Sequence, residues 1–68
     1  MEPHPFKMTI RQIQIHNLLS QGKTIKQIAL QLKISRRCVL RNMRSVRDGL
    51  EANTRDQVMC ILVRRGLI

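Results

Sequence analysis

Sixty-eight residues make one domain with a modest core, close to the lower limit at which a chain folds alone. Thirteen Lys and Arg against four Asp and Glu give a formal charge of +9, which favours a polyanionic partner and costs the free chain self-repulsion. With one Phe and no Trp or Tyr the core must be aliphatic; no apolar run approaches a membrane span and no signal-peptide core opens the chain, so a cytosolic location is expected.

Residues 1–8 contain two prolines and no periodicity and are expected to be a flexible extension ahead of a domain over 9–68. Four helices follow, each opened by a hydroxyl residue. The first is expected over about Ile10–Ser20, with Gly22 at its left-handed C-terminal position. The second spans about Ile25–Leu32, where Ile25, Ile28, Ala29 and Leu32 recur at i, i+3, i+4 and i+7 as one buried stripe. The third runs from about Arg36 to Gly49, and the fourth from about Arg55 to Arg65 with Gly66 just beyond. Three starts match a capping box, in which a hydroxyl accepts from a first-turn N–H and a Gln three residues on returns a bond: Thr9 with Gln12, Thr24 with Gln27, Thr54 with Gln57. Ser35 is a fourth N-cap, flanked by Ile34 and Val39 at hydrophobic-staple spacing. No segment alternates like a strand, so the expected class is all-α.

Only Lys33-Ile34-Ser35 separates the second and third helices, a link short enough for a helix-turn-helix corner. Ala29 is small where the two helices must approach. On a wheel of the third helix with Arg36 at zero, Arg47, Leu40, Arg44, Arg37 and Arg41 fall between about 0° and 140°. Val46, Val39, Leu50 and Met43 fall between about 280° and 340°. The apolar stripe therefore docks inward while a face of one charge sign is presented outward. Such a face suits a groove lined with phosphates, and arginine matches guanine edges in the major groove. A solvated basic face is the plainer alternative; the corner and the net charge together favour double-stranded DNA.

In the fourth helix Val58, Met59, Cys60, Ile61, Leu62 and Val63 form a continuous apolar run that covers most of the wheel. One stripe suffices to pack a helix on its own domain, so the excess predicts a homodimer contact through Val58, Met59 and Leu62. Cys38 and Cys60 have no close pairing and read as small buried apolar residues of a reducing compartment. No cysteine–histidine set has metal-ligand spacing, and no carboxylate pair or nucleophile–base pair is present, so neither metal, cofactor nor enzyme activity is expected.

The stretch from Met8 to Ile68 resembles the LuxR/GerE-type helix-turn-helix domain. Its opening, MTIRQIQIHNLLSQGKTIKQIALQLKIS, is similar to the family's Leu-Thr-x-Arg-Glu start, Leu-Leu-x-x-Gly turn and Lys-Glu-Ile-Ala helix. Its ending, TRDQVMCILVRRGLI, resembles the family's Arg-x-Gln-Ala-Val close and terminal Gly-Leu-Ile. The resemblance implies a tetrahelical DNA-binding domain whose third helix reads the major groove and whose fourth forms a dimer contact. By position it implies base contacts from Leu40, Arg41 and Arg44 and phosphate contacts from Lys26, Ser35, Arg37 and Cys38, beside the basic stripe that includes Arg36 and Arg47. The chain departs from the family at Leu40, where a Lys is usual, at Cys38 for Thr and at Asn42 for His. Leu40 cannot hydrogen-bond a base but can touch a thymine methyl, so a different target sequence is expected. Family acids are replaced by Gln12, Gln14 and Gln27, which leaves the surface more favourable to phosphate.

Two roles fit this reading. One is a sequence-specific transcription regulator, bound as a homodimer to an inverted repeat. The other is a protein-interaction module that pairs through its C-terminal helix with a larger LuxR-type regulator and modulates it. The receiver or ligand-binding domain that usually precedes the family domain is absent from these residues, so control is expected to come from abundance or from a partner.

Overall fold

A computed structural model describes residues 6–68; the first five residues of the expected extension lie outside them. Four helices are present among the described residues and no strand: α1 Ile10–Ser20, α2 Ile25–Leu32, α3 Arg36–Gly49 and α4 Arg55–Arg64. The fold is all-α, with α2 and α3 forming a helix-turn-helix.

Local chemistry explains each boundary. At α1 the Thr9 hydroxyl accepts from the Gln12 N–H (3.1 Å) and the Gln12 side chain accepts from the Thr9 N–H (3.0 Å), a complete capping box. Thr24 and Gln27 repeat it at α2, at 3.1 and 2.8 Å. Ser35 accepts from the Cys38 N–H at 3.0 Å. At α4 only half of the expected box forms. Thr54 accepts from the Gln57 N–H, but the Gln57 side chain turns to the N–H of Asn53 (2.6 Å) one residue upstream. The stops share one device, a left-handed residue after the last turn whose successor donates back to the helix. Gly22 (φ 85°) lets the Lys23 N–H reach the Leu18 carbonyl, and Gly66 lets Leu67 reach Leu62. At the other two stops the same role falls to Lys33 (φ 59°) and Glu51 (φ 56°), with Ile34 donating to Ala29 and Ala52 to Arg47. Neither left-handed position is a glycine, although Gly49 ends α3 two residues before Glu51, and a side chain in that region is strained.

Two clusters make the core, and α3 runs through both. Ile15, Leu18, Leu19, Ile28, Ala29 and Val39 join α1, α2 and the first half of α3. Ile34 packs against this cluster, to which Val39 belongs, as a hydrophobic staple would have it. Val46 from the second half of α3 and Leu50 just beyond its end meet Val58 and Leu62 of α4. Phe6 and Met8 pack on this second cluster, so the packed chain begins upstream of the boundary expected at residue 9. Gly49 lies under the Phe6 ring, where any Cβ would collide with it.

The placement of α4 shows what its apolar run covers within the chain itself. Val58 is 3 % exposed and Leu62 fully buried, and half-buried Met59 packs on the first cluster. These side chains are spent on the domain's own core, because α4 packs on the end of α3 in a cluster that Phe6 and Met8 also cover. Cys60 and Val63 remain outward on α4, with Val63 61 % exposed. Cys60 is thus exposed and Cys38 half-buried, both free thiols, rather than the buried pair expected.

Candidate nucleic-acid interface

The helix-turn-helix places two helix N-termini on the surface with no acid in either first turn. Carboxylates normally favour that position because the macrodipole is positive there. Here the first turns carry Lys26 on α2 and Arg36 and Arg37 on α3 instead, all exposed. The unpaired N–H groups and these cations create a positive field that phosphate oxygens can compensate.

Along α3 the two faces separate as the wheel requires. Val39 and Val46 are fully buried and Leu50 nearly so, and Met43 is half-buried. Arg36, Arg37, Arg41 and Arg44 are exposed, Arg47 is half-buried and Leu40 keeps 49 % of its surface. Among the described residues these arginines meet one acid, Asp48, at 4.0 Å from Arg47. An ion pair that long and that exposed contributes little, so the charge of the face is left for a partner.

Smaller groups are oriented by the same turns. The Ser35 hydroxyl accepts from the Cys38 N–H and keeps its own hydrogen for an outside acceptor. Asn42 donates its side-chain amide to the Cys38 carbonyl (2.9 Å) and lies 3.6 Å from the Cys38 sulfur. These bonds turn Asn42 back onto its own helix and away from the basic stripe.

A cavity of about 520 Å³ lies beside this face, between α1, α3 and the start of α4. Arg37, Arg41, Arg44 and Arg47 line it from α3, Arg55 from α4 and His16 from α1, over the apolar side chains of Leu40, Met43 and Val58. His16 is 2 % exposed. Its Nδ1 lies 2.8 Å from the Gln12 carbonyl; a carbonyl only accepts, so Nδ1 carries the proton and Nε2 the lone pair. Burial holds His16 below the usual histidine value of 6.5; the bond to Gln12 opposes this and the positive charge of Arg55 adds to it. No buried side-chain nitrogen or oxygen among the described residues is left unpartnered, so Nε2, with no protein partner, is not sealed from solvent, and His16 lines the cavity.

Nothing in the residue pattern singles out His16 or Arg55. A histidine on an apolar face and an arginine in a first turn carry no local signal; the crossing of α1, α3 and α4 unites them.

No helix among the described residues is long and apolar enough to cross a membrane. No curated protein matches the chain. The family model of the GerE domain, described as bacterial regulatory proteins of the luxR family, matches residues 7–62. That match spans most of the 68 residues and coincides with the four-helix arrangement and its outward basic helix. This chain belongs to the luxR family of bacterial regulatory proteins, whose helix-turn-helix domain binds DNA rather than carrying out catalysis.

Proposed function

We propose that the chain is a cytosolic, sequence-specific transcription regulator that binds duplex DNA as a homodimer, with α3 in the major groove. The observation that carries this reading is the division of α3 into a buried aliphatic face and an outward face of five arginines. Arg41 and Arg44 read base edges, and Leu40 contributes an apolar contact suited to a thymine methyl. Lys26, Ser35, Arg36, Arg37, Arg47 and the first turn around Cys38 hold phosphates and set the register without reading sequence.

The homodimer uses the outer side of α4, where Cys60 and exposed Val63 are available, in place of the buried residues. A two-fold contact there brings two recognition helices to one face of the duplex, with half-sites about 34 Å apart. The contact is weak in solution and tightens on DNA, because the duplex holds both copies at high effective concentration.

The test is selection of bound sequences from random duplexes, followed by affinity for the selected site and a scrambled one across a salt series. Both affinities are expected to fall log-linearly with salt through counterion release, with a constant preference for the selected site. Enrichment of an inverted repeat supports the homodimer. Failure to enrich any sequence, or affinity indifferent to salt, would overturn the reading.

A further inference from the structure

We propose that the cleft between α1, α3 and the start of α4 binds a nucleoside polyphosphate, phosphates on the arginine rim and base on the apolar floor, in competition with DNA. The competition rests on the DNA-binding reading above, because Arg37, Arg41, Arg44 and Arg47 belong to both surfaces.

The cavity volume of about 520 Å³ lies within the range of about 300–1,000 Å³ typical of small-ligand sites. It reaches inward to His16 and Val58, which are 2 and 3 % exposed and lie beneath the face that a duplex would cover. Five guanidinium groups surround it and no acid does. One phosphate engages only one or two such planar forks, so filling the rim takes a chain of phosphates. The apolar floor of Leu40, Met43 and Val58 is redundant for an inorganic anion but suits a flat base.

Arg55 supplies an independent sign. It is the first residue of α4, where a cation opposes the helix dipole, and among the described residues it has no ion pair. It also lies close enough to His16 to disfavour its protonation. An anion in the cleft reverses both effects, and His16 lines the place where it would sit.

The experiment uses the full chain with ATP, without DNA and at fixed ionic strength, and follows the side-chain resonances of His16. Inorganic tripolyphosphate is the comparison arm. ATP is expected to shift the His16 resonances saturably and to bind more tightly than tripolyphosphate. Arg55→Ala should weaken ATP binding about tenfold, the loss of one charge-assisted hydrogen bond. Arg64→Ala, the same charge change outside the cleft, should leave it unaltered; both arginines are exposed, and circular dichroism checks the fold. Equal weakening by the two variants, or unmoved His16 resonances, would overturn the site. Tripolyphosphate binding as tightly as ATP would overturn the nucleoside assignment. Competition is then read as displacement of labelled duplex by ATP, lost in Arg55→Ala. A chain that fails to bind duplex without ATP sinks the DNA reading and leaves the His16 result standing.

Discussion

Arg44 and Lys26 are both exposed cations near a helix surface, yet their chemistry separates them. Arg44 stands mid-face on α3, and its planar fork can bond two atoms of a guanine edge. Lys26 stands in the first turn of α2 as a mobile point charge suited to a phosphate. Arg44→Ala is expected to cost about 1–3 kcal/mol on the preferred site and to relax its sequence preference. Lys26→Ala should weaken preferred and random duplexes by the same factor; fluorescence anisotropy on both measures each ratio. His16 makes a prediction in pH. Its folded-state pKa lies below 6.5, chiefly because the buried ring resists charging, so the unfolded chain takes up the proton first. The stability it contributes is fully present above pH 6.5 and is lost as pH falls from there toward the folded-state value. Thermal unfolding between pH 5 and 8 should show this decline, and His16→Gln should flatten it.

The helices divide the chain's apolar residues unevenly, and α4 shows the consequence. Val58 and Leu62 lie in the second cluster against Val46 and Leu50, while Val63 points outward. A carboxylate at Val58 would be an uncompensated charge in a dry core, a defect of about 3–5 kcal/mol and most of what a small domain has to lose. Val58→Asp is therefore expected to unfold the chain by circular dichroism. Val63→Asp should remain folded and bind a single half-site like the parent, but lose cooperative binding to an inverted repeat. Retained cooperativity in folded Val63→Asp would exclude this side of α4 as the dimer contact. At the ends of α2 and α3, the left-handed Lys33 and Glu51 show that the stop geometry comes from the hydrogen bonds and contacts that follow rather than from residue type.

For the whole molecule the dominant quantity is +9 formal charges on a body whose extents are 40 × 21 × 19 Å. At about 0.1 M salt the screening length is roughly 10 Å, so charges on neighbouring helices still repel one another. Added salt should raise the thermal midpoint of the free domain by screening this repulsion, while lowering its affinity for duplex DNA through counterion release. Calorimetry and binding isotherms over one salt series measure the two trends, and a midpoint that falls as sodium chloride rises would refute the repulsion argument.

The division of labour between sequence and tertiary structure follows the range of the interactions. The starts of α1, α2 and α3, the stop at Gly22, the short corner and the basic stripe all depend on groups within a few residues or on helical spacing, and all were legible in the residues. The reciprocal bond expected at α4 was not, because the Gln57 side chain had a second N–H, that of Asn53, within the same local reach. The apolar run of α4 indicated burial without naming the surface that provides it. Only the packed chain decides that Phe6, Met8, Val46 and Leu50 enclose Val58 and Leu62, since it joins segments some fifty residues apart. The same holds for the cleft. His16, Arg44 and Arg55 are separated along the chain, and they meet because aliphatic contacts between helices set the crossing of α1, α3 and α4, which no local pattern encodes.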